Sequence, residues 1–344
     1  MAIGNTAESI GSKDADPATE SGVERLIRTV GPDMERVNAL IYAMAGSNVD
    51  LIPEIANHLV SSGGKRLRPM LTLASAHLFD ATGDAHVKLA AAVEFMHTAT
   101  LLHDDVVDDS AVRRGKPAAR VIWGNQASVL VGDFLLGQAF KTMVEAGSLE
   151  CLRILSTASA VIAEGEVLQL SGAKSLAKGE DHYMAVIEAK TAALFSAATE
   201  VGPVITGNSG AAQDAMRRYG LYLGLAFQLI DDVLDYGGNR DLLGKETGDD
   251  FREGKATLPV IYAYQRSDDA DKAFWKRCIE DGEIRDEDLD AAIEKVRTTG
   301  AIDDTIAVAR GFGKKATDAL SDVPPSPLRD TLGDVVEFAI ARAF

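Results

Sequence analysis

The sequence predicts an all-α fold: a single-domain bundle of long helices around a deep central cavity. Three observations carry that prediction. From Gly22 onward the apolar residues recur with helical period almost without a break, and alanine and leucine dominate them. Glycine or proline punctuates the ends of these stretches, at Gly46, Gly63-Gly64, Gly83, Gly147, Gly179, Gly202-Pro203, Gly210 and Gly237-Gly238. No stretch alternates convincingly between apolar and polar, so strands are not expected. Helices are expected over about 22–45, 50–61, 66–79, 84–108, 125–146, 148–172, 180–201, 211–236, 256–267, 287–299, 301–320 and 327–343. The internal repeat that would mark a solenoid is not visible.

The chain has 344 residues, which as a prior suggests about two domains, but no linker divides it. Its ten prolines cluster only at Pro324, Pro325 and Pro327. Apolar residues make up 46%, ample for one sizeable core over 22–344. Residues 1–21, rich in Ser, Gly, Ala and acids and without a period, are expected to be a disordered leader. That leader lacks the charged-then-apolar layout of a signal peptide, and no uninterrupted apolar run reaches the ~18 residues of a spanning helix. A cytoplasmic protein without a transmembrane segment is therefore expected. Cys151 and Cys278 have no metal-ligand spacing and read as core residues of a reducing compartment.

The net charge of −17 argues against nucleic acid as a partner. Much of the acid excess lies in the C-terminal third, from Asp268 to Asp288, and reads as a solvated surface. In such a protein each local cluster of Lys and Arg is informative, because binding an anion requires positive charge to be concentrated there.

The first element with chemistry in it is the stretch 92–114, AVEFMHTATLLHDDVVDDSAVRR. It begins as an apolar helix and then inserts Asp104, Asp105, Asp108 and Asp109. Asp104 and Asp108 are four apart and share one helical face, where like charges repel. Buried carboxylates without partners cost several kcal/mol each. The pattern calls for a counter-ion, and clustered carboxylate oxygens suit a hard divalent cation such as Mg2+. The plain alternative is a solvated acidic helix end.

That alternative weakens at 228–235, QLIDDVLD, where Asp231, Asp232 and Asp235 repeat the DDxxD spacing after another apolar helix. Gly224, Gln228, Asp231 and Asp235 form one continuous stripe. Two such helices face to face would hold a cluster of magnesium ions through Asp104, Asp108, Asp231 and Asp235. Magnesium keeps waters and phosphate oxygens beside its carboxylates, so a diphosphate is the expected ligand.

The basic residues fit an anion. Lys65, Arg66 and Arg68 open a helix whose N-terminus already carries about half a positive charge, an arrangement that an arriving diphosphate makes favourable. His97 lies two turns before Asp104 on the same face; His103 sits off that face. Arg113 and Arg114 follow the first acidic motif in a turn ended by Gly115-Lys116-Pro117, and arginine's planar fork suits phosphate. Lys190 and Thr191 interrupt the apolar helix EAKTAALFSAA, where the lysine could also simply extend to water. The segment 237–255 is rich in glycine and charge, long for a connecting loop, and reads as a lid. Lys245 and Lys255 could close from it on a leaving diphosphate, with Asp249 and Asp250 at the rim.

Six motifs together, GGKRLRP (63–69), HTATLLHDDVVDDSAVRRG (97–115), ASVLVGDFLLGQAF (127–140), EAKTAALF (188–195), FQLIDDVLDY (227–236) and GKETGDDFREGKATLP (244–259), resemble the trans-polyprenyl diphosphate synthase family, nearest its octaprenyl and decaprenyl members. The resemblance spans nearly the whole chain after about residue 22. It implies head-to-tail addition of isopentenyl diphosphate to an allylic diphosphate such as farnesyl diphosphate, giving a long all-trans chain for quinone side chains. It assigns Lys65, Arg68, His97 and Arg114 to isopentenyl diphosphate. Arg113, Lys190, Thr191, Gln228 and Lys245 go to the allylic diphosphate, and Asp104, Asp108, Lys190 and Asp231 are the residues expected to carry catalysis. It also implies a homodimer with an interface helix near 127–140. The chain-length residues are those beneath Asp104: Ala99 and Thr100 about one turn, ~5.4 Å, below, then Met96. Short-chain members commonly have an aromatic floor there; small residues here predict eight to ten isoprene units. Rival readings are a geranylgeranyl synthase, a terpene cyclase or head-to-head enzyme, a silent regulatory subunit, and a plain acidic metal-binding module. A cyclase has no need of Lys65 and Arg68, a silent subunit should have degraded acidic motifs, and a metal module does not account for the basic residues.

Overall fold

The computed structural model of the chain describes residues 21–61, 63–237, 248–285 and 287–342. Residues 1–20 and Lys245 lie outside these. Helices run as α1 (Gly22–Ala45), α2 (Leu51–Ser61), α3 (Leu67–His77) and α4 (Ala85–Val107), then β1 (Val112–Arg113) and β2 (Lys116–Pro117). Next come α5 (Ala119–Trp123), α6 (Asn125–Glu145), α7 (Leu149–Gly172), α8 (Gly179–Ile187), α9 (Ala193–Ile205) and α10 (Ala211–Gly237). The chain closes with α11 (Asp249–Arg252), α12 (Leu258–Arg266), α13 (Asp269–Trp275), α14 (Asp288–Thr298), α15 (Ala301–Ala319) and α16 (Pro327–Ala341). The expected all-α class holds, and all twelve expected stretches are helical to within a few residues at their ends.

The start of α1 has a local cause. Ser21 accepts from the backbone N–H of Glu24 at 3.3 Å, while Glu24 accepts from the Ser21 N–H at 2.8 Å. This reciprocal cap satisfies two donors that the first turn leaves open. Ser21, assigned by composition to the leader, thus belongs to the cap of α1.

The helices that carry the acidic motifs are the central ones. Helix α4 packs against α1, α3, α6 and α9, and its buried residues run round most of its circumference. Helix α10 packs against α9 and α15 in the same way. An apolar surface so wide can be buried only with neighbours on several sides.

Three departures from the expectation have physical reasons. A two-residue antiparallel hairpin pairs Val112 with Pro117 and Arg113 with Lys116, turned by Arg114 (φ 53°) and Gly115 (φ 74°). It is too short for any alternation to announce it. Second, α13 and the π-helical turn Lys276–Glu280 that extends it occupy the acid-rich segment read as surface. Trp275, Cys278 and Ile279 there are fully buried in a second small core with Phe251 and Val260. Asp288 likewise is buried, accepting from both terminal nitrogens of Arg277 at 2.8 Å and from the Arg285 N–H at 2.7 Å. The Arg277 hydrogen bond holds its carboxyl at about 2. Third, α6 is long and apolar enough by composition to cross a membrane, although only 39% of its most apolar window is buried. Its apolar run is broken by Gly132, Asp133, Gln138 and Lys141, so no uninterrupted stretch revealed it.

Candidate active site

The two acidic motifs, the π-helical turn that interrupts the α8–α9 rod, and the segment after α10 line or border one cavity of ≈ 410 Å³. Its walls include Asp108, Lys190, Thr191, Gln228, Asp232, Asp250 and Lys255.

Lys190 and Thr191 sit in the π turn Glu188–Ala192. A π turn is an insertion that costs helical regularity and is frequent where a side chain must be re-aimed. Its close neighbour is Gly165 of α7: a Cβ there would fall 2.8 Å from the Ala189 Cβ and 3.0 Å from the Lys190 nitrogen. Lys190 Nζ lies 2.8 Å from Glu166 and 4.0 Å from Asp104. Glu166 is a site residue that the sequence reading missed; one glutamate on an amphipathic helix gives no signal of the lysine it faces. Thr191 donates to Gln228 Oε1 at 2.9 Å, and Gln228 Nε2 donates to Asp232 Oδ1 at 2.7 Å. The other Asp232 oxygen accepts from Tyr183 at 2.5 Å. Thr191, Gln228 and Asp232 therefore form one chain of hydrogen bonds between two helices.

Burial pushes the Asp104 carboxyl up to about 7, with the negative charges of Glu166 and Asp108 adding to it and Lys190 opposing. Burial and the neighbouring Asp250 raise Asp235 to about 7 as well, and the same two causes raise Asp232 well above the ordinary carboxylate range. Carboxylates held in this state favour any added cation. Glu166 Oε1, on the residue that shares Lys190 with Asp104, is buried with no hydrogen-bond partner, and the acidic donors here are carboxylate oxygens, so the set fits a hard divalent ion.

The structure separates the members of the two motifs. Asp108, at the C-terminus of α4, contacts Lys255 at 3.0 Å. Asp105 is fully buried and takes Arg113 through Nε at 2.8 Å and Nη2 at 2.5 Å. Arg113, expected at the allylic diphosphate, is thus anchored to the first motif itself. Asp231 pairs with Arg342 from the C-terminal end of α16 at 2.8 Å, a partner no local pattern could show. Asp235, expected as a metal ligand, accepts from the backbone N–H groups of Gly248, Asp249 and Asp250 at 3.1–3.2 Å and so clasps the start of α11. Asp249 is exposed, while Asp250, expected at the rim, lines the cavity.

A second cluster forms around the start of α3. Gly64 adopts φ +137°, and a Cβ on it would meet the Arg114 guanidinium at 2.7 Å. Arg114 donates across this turn to the Gly63 carbonyl. Arg68 Nη1 lies 3.3 Å from His97 Nε2, and its guanidinium stacks 4.3 Å over Phe195. Burial lowers Arg68 to about 10 and, with Arg68, Arg114 and Arg113 nearby, drives His97 well below its usual value, so the ring is neutral. Lys65 is exposed at its surface, 4.8 Å over Phe338; partial desolvation and the Arg342 charge lower its ammonium below the ordinary lysine value, with Asp231 opposing. Arg68 Nε is buried without a hydrogen-bond partner. Glu94, buried in α4 and also missed, is raised by desolvation although Arg66, Arg68 and Arg114 oppose this. These cations with one carboxylate among them form a basic pocket wanting an anion. Met96 and Ala99, 1% exposed, belong to the main core, and Thr100 donates to the His97 carbonyl at 2.8 Å; none of the three lines the cavity.

The comparisons with known proteins agree with one another. A profile of the polyprenyl synthetase family matches residues 49–296. The chain is 42% identical over 320 residues to octaprenyl diphosphate synthase of Escherichia coli, covering 93% of this chain and 99% of that one. It is 39% identical to a geranyl-diphosphate-specific all-trans-nonaprenyl-diphosphate synthase of Rhodobacter capsulatus, covering 92% and 97%. Among solved structures, a polyprenyl synthase of Caulobacter crescentus, complexed with calcium and isoprenyl diphosphate, superposes with a TM-score of 0.92 at 51% identity, covering 95% and 100%. A decaprenyl diphosphate synthase of Rhodobacter capsulatus gives 0.89 at 50%, covering 94% and 99%.

Proposed function

The chain belongs to the polyprenyl synthetase family, and from that premise we propose how its two charged pockets divide the work of a prenyltransferase that makes long-chain all-trans polyprenyl diphosphates. The carrying observation is the pairing of opposite demands: carboxylates Asp104 and Glu166 gathered around the single ammonium of Lys190 on one side, and on the other Arg68 and Arg114 gathered around a single carboxylate, Glu94. Asp104, Asp108 and Asp231 would hold a divalent metal, magnesium in our reading, which when bound would supply charge stabilisation for the diphosphate leaving an allylic carbon. Asp235 adds its negative field from the α11 clasp.

Lys190 sits where it can follow charge from Asp104 to a departing diphosphate, and Glu166 holds it in reach. Thr191 and Gln228 orient the same diphosphate, with Lys245 as an expected contact outside the described residues. Arg113, locked to Asp105, contributes positive potential from a fixed position. Ionisation breaks the allylic C–O bond and leaves a carbocation. Lys65, Arg68, neutral His97 and Arg114 hold isopentenyl diphosphate so that its double bond attacks that carbon. The released diphosphate takes one proton from the resulting cation, which restores an allylic double bond in a chain one unit longer, and the apolar helix walls exclude water that would quench the cation.

We further propose magnesium as the physiological ion, an octaprenyl or decaprenyl product for quinone side chains, a cytoplasmic location and a homodimer. Exposed apolar residues on α6 and α7, among them Leu130 (67%), Leu149 (81%) and Val167, support the dimer. Incubating the protein with farnesyl diphosphate, isopentenyl diphosphate and magnesium, then sizing the dephosphorylated products, tests the reading. Products of eight to ten units are expected; a product ending at farnesyl or geranylgeranyl length overturns the chain-length assignment.

A further inference from the structure

Far along α1 from its cap, three ligand atoms converge where α1, α3 and α4 meet. Asp33 follows Pro32 within α1, His77 ends α3, and His86 lies in the first turn of α4. The Nε2 atoms of His77 and His86 lie 2.8 and 3.0 Å from one and the same oxygen, Asp33 Oδ2. Among the described residues this is the one group of three His, Cys, Asp or Glu side chains whose ligand atoms all lie within 4.8 Å of one another. The second oxygen, Asp33 Oδ1, accepts from Arg36 at 2.6 Å, and Arg36 also donates to the Gly83 carbonyl at 3.0 Å. Arg36 thereby fixes the carboxylate with Oδ2 toward the rings. His86 is 3% exposed and its Nδ1 has no partner, so the ring directs its polar bonding into the cluster alone. His77 is half-buried, which leaves one side of the cluster open to water.

We propose that Asp33, His77 and His86 form a binding site for a borderline divalent transition-metal ion such as zinc, separate from the acidic motifs. Two imidazoles and one carboxylate suit zinc and its neighbours, whereas magnesium prefers oxygen alone. Zinc bonds of ~2.0–2.2 Å in a tetrahedron set ligand atoms roughly 3.3 Å apart, so the two spacings from Asp33 Oδ2 to the rings need to open by only a few tenths of an ångström. The metal takes the Nε2 lone pair of each ring, so the proton of each bound ring sits on Nδ1. A water on the open His77 side completes four ligands. The bound ion clips the middle of α1 to the α3–α4 turn and stabilises the folded chain in proportion to its occupancy.

The test uses the full chain, stripped with chelator and held in saturating magnesium, titrated with zinc by calorimetry and followed by thermal melting. One zinc equivalent and a rise in Tm are expected, with affinity at least about tenfold weaker in Asp33→Asn and His77→Gln but unchanged in Asp104→Asn. Cobalt gives an independent readout: the strong visible absorption of a low-coordinate nitrogen-containing site, lost in His77→Gln, whose partly exposed position at a helix end tolerates the change. Zinc affinity equal in wild type and His77→Gln, or loss of the equivalent in Asp104→Asn, overturns the proposal and leaves a hydrogen-bonded triad.

Discussion

The Lys255 ammonium lies 3.0 Å from the Asp108 carboxylate, although 147 positions separate them. Lys255 also meets Glu253 at 2.6 Å, and although burial opposes its charge, Asp250, Asp108 and Glu253 hold it protonated. A lysine from the segment after α10 thus stands beside the first motif as a counter-ion supplied by the protein itself. Lys255→Ala should strip that charge and leave Asp108 uncompensated. The metal-free protein should lose stability, and metal binding at Asp108 should tighten. Melting with and without magnesium and pyrophosphate checks both signs.

Asp104→Ala and Asp231→Ala should each cut turnover by orders of magnitude while the fold survives, since Lys190 keeps Glu166 when Asp104 is removed and Arg342, which loses Asp231, is partly open to water at the end of α16. Circular dichroism and steady-state rates decide it. Near-normal activity in either variant would falsify the two-motif metal site.

The pH dependence of the metal-free protein follows from Asp104. Its folded value of about 7 lies above the ordinary 3.8, so the folded state holds a proton that the unfolded chain has already lost. Stability contributed by this group is full below about 4 and is lost as pH rises toward 7. Tm should therefore fall over that window in chelator, and Asp104→Asn should flatten the fall. Magnesium with pyrophosphate should do the same for the wild type. A Tm profile identical in Asp104→Asn sinks the account.

Lys65→Ala and Arg68→Ala should raise KM for isopentenyl diphosphate more than for the allylic substrate, and Lys190→Ala should show the opposite bias. Equal effects on both substrates would mean that the half-sites are assigned wrongly.

Gly165→Ala tests the π turn without touching any charged group. Its Cβ would press on Ala189 and on the Lys190 backbone, so the turn must shift. We expect a lower Tm and a raised KM for the allylic substrate, with KM for isopentenyl diphosphate little changed. Ala99 packs in the core rather than lining the cavity, so Ala99→Tyr, at a cost of about 1–3 kcal/mol for overpacking a buried site, shortens the product only if the growing chain opens a path beneath Asp104. Chromatography of dephosphorylated products reads the length; unchanged length rejects Ala99 as part of the chain path.

Helical period, glycine punctuation and the two DDxxD spacings are local properties, and local properties were enough to determine the helices, the acidic faces of α4 and α10 and the basic start of α3. Backbone hydrogen bonds within a helix join residues four apart, so their signature lies in contiguous sequence. The partners of the site residues do not. Glu166 with Lys190, Tyr183 with Asp232, Arg342 with Asp231 and Lys255 with Asp108 join residues 24, 49, 111 and 147 positions apart, and only helix packing selects them. Tertiary structure also moved residues between roles. Asp235 became a backbone clasp because α11 begins beside it, and Asp288 became a buried anchor because Arg277 reaches it. A carboxylate looks the same in sequence whether it faces water, a metal or an N–H; its surroundings decide which, and those are assembled from distant segments only when the helices pack.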